Sequence, residues 1–232
     1  MDGPASGASA VNRATVAAII PAYLEEKHIA GVVERTLKQL DHVLVVDDGS
    51  TDATAANARA AGAQLIVHER NLGKGESIKS GLRYWLERGF AHVIILDGDG
   101  QHLPEEIGRF LSAAAQGADV LVGTRMNDVR EMPLTRKLVN RYMSRKISRL
   151  CGQEIPDTQC GFRMLGASVI PDLLHGSERF DYETEMLIVA SRKGCRIGAV
   201  PISTVYSDEV SSIHPVRDGL RFFKLMRRYK HA

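Results

Sequence analysis

The chain has 232 residues, of which 44% are hydrophobic and 25% are charged, a composition that excludes a disordered chain and allows one sizeable globular core. Aliphatic runs such as residues 43–46 and 93–96 are far shorter than the roughly 20 apolar residues of a bilayer-spanning helix, so we expect no membrane span. The formal net charge is +2, but residues 133–150 hold six Lys or Arg and no acid, and residues 215–232 hold six more.

The first 14 residues are rich in small side chains and lack the apolar segment of a secretory signal. We expect them to form a disordered leader. The three cysteines, Cys151, Cys160 and Cys195, lack CxxC spacing. An odd number of cysteines without an export signal indicates free thiols in a reducing compartment, so we expect a cytoplasmic protein.

Short apolar strands alternate with helical patterns through the first half of the chain. The predicted strands are Val16–Ala22, Val43–Asp47, Gln64–His68, His92–Leu96 and Asp119–Gly123. The helical patterns between them cover residues 25–40, 52–61, 74–88 and 104–116. Because buried strands joined by helices of this length form parallel sheets, we predict an α/β fold with a mainly parallel twisted sheet and helices on both faces.

The second half of the chain loses this alternation. It predicts helices over residues 134–150, 166–174, 181–193 and 215–229, a loop after the first of them, and a strand over residues 196–206. We expect one α/β domain over residues 15–210 and a C-terminal basic amphipathic helix over residues 211–232. The two basic segments are either solvated helix faces or a surface for an anionic partner.

A polar cluster follows each strand of the first half. The clusters are PAYLEE (21–26), DDGSTD (47–52), ERNLGKG (69–75), DGDGQH (97–102) and GTR (123–125). Ligands of open α/β sheets bind beyond the carboxyl ends of the strands, so we expect these clusters to line one site.

The DGDGQH cluster places two acids, Asp97 and Asp99, directly after the apolar stretch VIIL. An ordinary polar turn would explain them. The interpretation that we favour is a Mg²⁺ or Mn²⁺ site shared with substrate phosphates, because hard carboxylate oxygens suit these ions and Gln101 adds a neutral oxygen.

Other motifs allow a structural as well as a functional interpretation. Asp48 is placed for ribose hydroxyls or a base edge, whereas the residues after it also form an ordinary turn and helix cap. Lys74, between two glycines, either steadies a nucleotide or is a surface lysine at a helix start. DTQCGFR (157–163) is too polar for a core strand, and the acids of DYETEM (181–186) also suit a helix N-terminus.

The motifs PAYLEE, DDGSTD, NLGKG, DGDGQH, GTR, PDTQCGFR and DYETEM, in this order, resemble the family 2 glycosyltransferases of GT-A fold. Within that family the sequence looks most like the dolichyl- or polyprenyl-phosphate mannosyl- and glucosyltransferases. The resemblance covers about residues 16–210. It implies an inverting transfer of a sugar from a nucleotide-diphosphate sugar, with Mg²⁺ or Mn²⁺ as cofactor.

The resemblance also implies roles for individual residues. The nucleotide sugar would be bound by Pro21, Tyr23, Glu25, Asp48, Lys74 and Asp97. The metal would be held by Asp97, Asp99 and Gln101. The acceptor phosphate would be held by Arg125, Arg136 and Asn140. The residues assigned to catalysis are Asp99, Arg125, Asp157 and Arg163, of which Asp157 and Arg163 would shape the sugar and acceptor side.

The sequence departs from the family pattern in its details. Gly98 stands where the family usually has alanine, a minor difference. Ser212 stands where the family has a lysine that binds the diphosphate, and His214 or Arg217 would have to replace it. The C-terminal membrane spans of many members do not appear in this sequence.

The acceptor is left open between two chemistries. A lipid phosphate, with a second pKa of about 6, is mostly dianionic at neutral pH and needs no general base. A hydroxyl acceptor needs one, and Asp157, Asp181 and Glu183 are the candidates. Because Trp85 is the only tryptophan, the chain lacks the Q-x-x-R-W motif of processive polysaccharide synthases.

The basic, partly apolar stretch 134–150 favours a polyprenyl phosphate acceptor and peripheral contact with an anionic membrane at its cytoplasmic face. The apolar side chains of this stretch would equally serve to pack the helix on the domain. A soluble transferase with a hydroxyl acceptor on a glycan or glycolipid, and a catalytically silent nucleotide-binding module, are the alternatives. No nucleic-acid partner is expected.

Overall fold

The computed structural model describes residues 11–125, 134–175, 181–203 and 226–229, and for residues 134–136 it describes the backbone alone. Seven strands form one sheet in the order β3-β2-β1-β4-β6-β5-β7. The strands are β1 Val16–Ala22, β2 Val43–Asp47, β3 Gln64–Val67, β4 His92–Ile95, β5 Val120–Thr124, β6 Arg163–Gly166 and β7 Ile197–Pro201. Strand β6 is antiparallel to its neighbours β4 and β5, and the other neighbouring strands are parallel.

The α-helices connect these strands. They are α1 Ile29–Leu37, α2 Thr54–Ala60, α3 Lys74–Leu86, α4 Ile107–Ala114, α5 Leu134–Cys151, α6 Ile170–Leu173 and α7 Asp181–Arg192. The connection from β1 to β2 runs toward one edge of the sheet and that from β3 to β4 runs back. Since such crossovers are right-handed, α1 and α3 cover opposite faces. The predicted α/β fold with a mainly parallel sheet is confirmed.

The core lies on both faces of the central strands, where buried side chains of α1, α3, α4 and α7 pack against them. Strands β1, β2 and β5 are buried along their whole length, as expected of parallel strands covered on both faces. Inside, the indole N–H of Trp85 donates a hydrogen bond to the carbonyl oxygen of Ala18, at 3.1 Å. A Cβ added to Gly81 would lie 2.7 Å from Cγ2 of Ile19, so glycine at this position lets α3 approach β1 closely.

The first five predicted strands are present, with ends within one residue of the prediction. Strand β6 was not predicted, because residues 157–163 are rich in polar groups and were taken for a loop. The prediction of a single helix over residues 166–174 is likewise wrong in part, since a 3-10 turn, Ala167–Val169, precedes the short helix α6. Strand β7 ends at Pro201, earlier than the predicted strand over 196–206.

The ends of the domain differ from the prediction as well. Residues 11–14 were expected in a disordered leader, but Arg13–Thr15 forms a 3-10 turn in which Asn12 Oδ1 accepts a hydrogen bond from the amide of Ala14. Residues 1–10 lie outside the described residues. Of the predicted C-terminal helix, the structure describes residues 226–229, which are helical. Ser212, His214 and Arg217 fall outside the described part.

The C-terminal helical turn packs on α7. The hydroxyl of Tyr229 donates a 2.6 Å hydrogen bond to Oε1 of Glu185, and Nη1 of Arg228 lies 3.2 Å from the same oxygen. Glu185 is 2% exposed, so these contacts compensate a buried carboxylate. Within the described ranges, no helix has the length and apolar character needed to cross a bilayer.

Candidate active site

Strands β1, β2, β4 and β5 point the same way, so the loops that follow them lie along one edge of the sheet. This edge carries the predicted site residues. Shared contacts join the loops: the side chain of Asp48 binds the amide of Gly73, and the ammonium of Lys74 binds Asp97.

Lys74 lies between two carboxylates. Its Nζ is 2.6 Å from Oδ1 of Asp97 and 3.2 Å from Oε2 of Glu183. The side chains of these three residues are mostly buried, with 17%, 25% and 14% of their surfaces exposed. Burial opposes ionisation of Asp97, but the positive charges of Lys74 and its surroundings outweigh it and hold the pKa of this carboxyl at about 2. Burial also opposes the charge of Lys74, yet its two carboxylate partners raise its pKa.

Asp99 faces a different environment from Asp97. Its pKa is raised by burial and by repulsion from Asp97. Its Oδ1 accepts a hydrogen bond from the amide of Gln101, at 3.0 Å, across Gly100, whose φ of 76° favours glycine. Asp99 and Gln101 line a cavity of about 390 Å³ that runs along α1, and the side chains of Lys27, His28 and Arg35 line it as well.

His102 packs against the loop that carries Asp97 and Asp99. The sequence indicated this residue only as a member of the DGDGQH motif. Its Nδ1 accepts a hydrogen bond from the amide of Asp97, at 3.1 Å, and its ring packs on Phe162, with 5.2 Å between centroids. Burial lowers the pKa of His102 despite the two acids nearby. A neutral ring with its proton on Nε2 matches the acceptor role of Nδ1.

Gly161 permits the acids of two elements to meet. A Cβ at this position would lie 2.8 Å from Oδ2 of Asp97 and 3.1 Å from Oε1 of Glu183. Both distances are shorter than ordinary van der Waals contact. Residue 161 of the DTQCGFR motif therefore acts through its lack of a side chain. A Cβ on Gly98 would meet its neighbours at 3.4 Å, so the alanine usual in the family fits there too.

Asp48 is 3% exposed, and both of its carboxylate oxygens accept hydrogen bonds. Oδ1 accepts from the amide of Leu72, at 3.0 Å, and from Nδ1 of His68, at 2.8 Å, and Oδ2 accepts from the amide of Gly73, at 2.8 Å. The carboxylate thus holds the NLGKG loop. The predicted contact between Asp48 and the nucleoside stays a prediction.

Three residues predicted to bind the nucleotide sugar, Pro21, Tyr23 and Glu25, lie in the last part of β1 and in the loop that follows it. Pro21 is buried within β1, whereas Tyr23 is 45% exposed. The DDGSTD loop and the first residue of α2 fix three successive backbone amides. That of Leu24 donates to Ser50 Oγ at 2.9 Å, that of Glu25 to Thr54 Oγ1 at 2.8 Å, and that of Glu26 to Asp52 Oδ2 at 3.3 Å. These bonds hold Leu24 at a φ of 59°, which is uncommon for a residue with a side chain.

On the acceptor side, Arg125 and Asp157 form a two-point ion pair. Nε and Nη2 of Arg125 lie 2.7 and 3.0 Å from Oδ2 and Oδ1 of Asp157. Asn140 of α5 donates to Oδ1 of Asp157 at 2.9 Å, and its own side-chain oxygen accepts from Ser144 at 3.0 Å. Burial raises the cost of the charge on Asp157, which is 0% exposed, but Arg125 keeps the pKa of Asp157 below its usual range.

Two predicted residues remain to be placed. Arg163 is 1% exposed, and its guanidinium donates to the backbone carbonyl oxygens of Cys160, Thr158 and Glu183. It therefore joins β6 to the first turn of α7, and its predicted catalytic role stays a prediction. Arg136 lies in α5, but its side chain is outside the described residues.

The acids fit a divalent cation that shares its ligands with a substrate. In the part of the chain that the structure describes, no three His, Cys, Asp or Glu side chains are arranged to hold a metal ion by themselves. Two carboxylates and Gln101 on one tight loop suit Mg²⁺ or Mn²⁺, which take further ligands from water and phosphate oxygens. A cation here would also relieve the repulsion between Asp97 and Asp99 that contributes to the raised pKa of Asp99.

Comparison with known proteins agrees with this geometry. The sequence profile of Glycosyl transferase family 2 matches residues 17–174. The chain is 32% identical to a UDP-N-acetylglucosamine–dolichyl-phosphate N-acetylglucosaminyltransferase of Methanococcus voltae, over 82% of this chain and 85% of that protein. It is 30% identical to the polyprenol monophosphomannose synthase of Mycolicibacterium smegmatis, over 80% of this chain and 75% of that protein.

Solved structures share the fold. Glucosyl-3-phosphoglycerate synthase of Mycobacterium tuberculosis, crystallised with Mn²⁺, uridine diphosphate and phosphoglyceric acid, superposes with a TM-score of 0.69 at 16% identity. The match covers 92% of this chain and 76% of that one. The fold, the ordered motifs and the profile match lead to one assignment: the chain belongs to glycosyl transferase family 2.

Proposed function

We propose that the protein transfers a sugar, with inversion, from a nucleoside-diphosphate sugar to a polyprenyl phosphate, in a reaction that depends on Mg²⁺ or Mn²⁺. Relatives that are 32% and 30% identical to the chain are named for dolichyl phosphate and polyprenol phosphate acceptors. The observation that carries the proposal is that most of the candidate general bases are paired with cations. Asp157 is bound to Arg125 and Glu183 to Lys74, so two of the three candidate bases are already held in ion pairs.

A phosphate acceptor suits such a site better than a hydroxyl. A phosphate dianion attacks without losing a proton, so no carboxylate has to act as a general base. An oxygen of the acceptor phosphate forms the new bond to the anomeric carbon, and the bond from that carbon to the nucleoside diphosphate breaks. Asp157 holds the guanidinium of Arg125 at two points, and the guanidinium is a cation suited to binding a phosphate.

The residues on the donor side of the site compensate the negative charge of the leaving group. Asp97, Asp99 and Gln101 would hold the divalent cation, which, when bound, neutralises the nucleoside diphosphate as it leaves. The ammonium of Lys74, held beside Asp97, adds a fixed positive charge at the same place. Since its partners keep Lys74 protonated, this charge persists at all physiological pH values.

Helix α5 supports a peripheral contact with an anionic membrane at its cytoplasmic face. The apolar side chains of this helix form a buried group and an exposed group. Ile147 is fully buried, whereas Leu138, Val139 and Tyr142 are 66%, 58% and 50% exposed. Exposed cations accompany these apolar side chains, namely Arg141, Arg145 and Lys146. An exposed apolar surface with cations at its border suits the interface of an anionic bilayer, next to the site where a lipid phosphate would enter.

The experiment is a transfer assay with purified protein, Mn²⁺, a panel of labelled nucleoside-diphosphate sugars and a polyprenyl phosphate. We expect a labelled lipid product, and we expect Arg125→Gln to raise the KM for the lipid phosphate more than the KM for the donor. Asp181→Asn should retain activity, because no base is required. Loss of all transfer in Asp181→Asn, with donor binding intact, would favour a hydroxyl acceptor instead.

A further inference from the structure

A buried chain of polar side chains leads from the end of β3 to the loop before Lys74. The ring of His68 lies between Asp48 and Ser80, with Nδ1 2.8 Å from Asp48 Oδ1 and Nε2 3.1 Å from Ser80 Oγ. The side chains of His68 and Asp48 are only 9% and 4% exposed. Because an ionised carboxylate only accepts hydrogen bonds, Nδ1 of His68 donates to Asp48, and Nε2 forms a hydrogen bond with the Ser80 hydroxyl.

The far end of this chain is the NLGKG loop. The two oxygens of Asp48 accept the amides of Leu72 and Gly73, at 3.0 and 2.8 Å. Gly73 has a φ of 101° and a ψ of 151°, a backbone conformation open almost exclusively to glycine. Helix α3 begins at the next residue, Lys74, so Asp48 sets the point and the direction from which the Lys74 side chain leaves the backbone.

The Lys74 side chain is therefore fixed at both ends. At its base, Asp48 holds the preceding amides, and at its tip Nζ meets Asp97 and Glu183. A flexible lysine loses rotamer freedom when it is held in one place, and a fixed backbone reduces the part of this cost that remains to be met on binding.

We propose that Asp48, His68 and Ser80 form a hydrogen-bonded relay that positions the ammonium of Lys74 in the donor site. On this view Asp48 affects donor binding through Lys74 and not by touching the nucleoside, and His68 and Ser80 become positioning residues. The effect on the donor rests on the proposed function, whereas the placement of Lys74 does not.

The first test measures that placement without any nucleotide. Acetic anhydride modifies lysines according to their accessibility, and mass spectrometry compares Lys74 with the exposed Lys27 in the same protein. We expect His68→Leu, which removes both hydrogen bonds, to raise the relative modification rate of Lys74 several-fold. His68→Asn, whose amide can still donate to Asp48, should leave the rate near that of the wild type. An unchanged rate in a folded His68→Leu protein would overturn the proposal.

The second test is a double-mutant cycle on binding of uridine and guanosine diphosphates with Mn²⁺, measured by calorimetry. We expect His68→Leu to weaken binding about tenfold in the wild-type background, the loss typical of a buried hydrogen bond, and less than twofold in a Lys74→Met background. Equal losses in both backgrounds would mean that the relay does not act through Lys74. If the wild-type protein bound neither nucleotide, the proposed function would be in question, and the lysine modification result would still decide the relay.

Discussion

The ammonium nitrogen of Lys74 lies 2.6 Å from Oδ1 of Asp97, so a fixed cation already contacts one of the two acids of the DGDGQH loop. The same ammonium lies 3.2 Å from Glu183, on a helix more than a hundred residues away in the chain. Lys74 thereby joins the loop after β3, the loop after β4 and the start of α7. Its charge lowers the pKa of Asp97 in a mostly buried place.

Replacement of Lys74 by methionine should destabilise the protein. The variant leaves Asp97 and Glu183 as neighbouring carboxylates without their common partner, and we expect the free energy of unfolding to fall by about 1–3 kcal/mol. Urea denaturation measures this value. The control is Lys193→Met, which removes an ion pair with Asp172 between side chains that are 57% and 38% exposed, and should have no measurable effect. Equal changes in both variants would contradict the importance of the buried cluster.

The pH dependence of stability should reveal the low pKa of Asp97. The folded-state pKa of about 2 is below the ordinary value of about 3.9, so the stabilisation is complete above the ordinary value and is lost as the pH falls toward 2. We therefore expect the difference in unfolding free energy between the wild type and Asp97→Asn to be roughly halved or more between pH 6 and pH 2.5. A difference that stays constant, or that grows on acidification, would argue against an ionised Asp97 held by Lys74.

Substitution of Gly161 by alanine should impair the donor site more than the fold. The new Cβ would lie 2.8 Å from Asp97 Oδ2 and would displace the carboxylate from Lys74 and from the proposed metal site. We expect Mn²⁺-dependent nucleotide binding to weaken by about tenfold, in line with the loss of one charge-assisted contact. Gly108→Ala is the matched control, because nothing lies within 4 Å of a Cβ there. Unaltered binding in Gly161→Ala would show that the cluster tolerates a shift of Asp97.

The exposed half of α5 should contribute to membrane binding and the buried half to stability. We expect Leu138→Ser and Val139→Ser to reduce co-sedimentation with vesicles of anionic lipid and to leave the unfolding free energy nearly unchanged. Ile147→Ala, in contrast, should lower that free energy by about 2–4 kcal/mol, since the side chain is fully buried. If vesicle binding is unaffected by both exposed substitutions, α5 is not the membrane-facing surface.

Local sequence patterns correctly predicted the strands that are apolar along their whole length. Strands β1 and β2 were predicted with their observed ends, because their residues form continuous apolar runs that end at a polar cluster. Strand β6 escaped prediction because Arg163 begins it. A buried guanidinium is acceptable there only because carbonyl oxygens of Cys160, Thr158 and Glu183 receive its hydrogen bonds, and that arrangement exists only in the folded chain.

The candidate site likewise contains some residues that the sequence pattern indicated and others whose roles depend on tertiary contacts. The sequence predicted that Asp97, Asp99 and Lys74 lie at one edge of the sheet, because each follows a predicted strand and lies in a glycine-rich segment. The parts played by His68, His102 and Gly161 depend on partners that are distant in the sequence or on the absence of a side chain. No periodicity or spacing indicates such roles. The sequence feature that could have drawn attention to His68 and His102 is their place directly after a strand or a polar turn.

The central claim, that the acceptor is a lipid phosphate and that no general base is needed, is tested most directly with two forms of one lipid. The purified protein, Mn²⁺ and a labelled nucleoside-diphosphate sugar are incubated with a polyprenyl phosphate or with the corresponding polyprenol, and the labelled lipid is extracted and counted. We expect transfer to the phosphate and none above background to the alcohol. Transfer to the alcohol at a comparable or greater rate would contradict it.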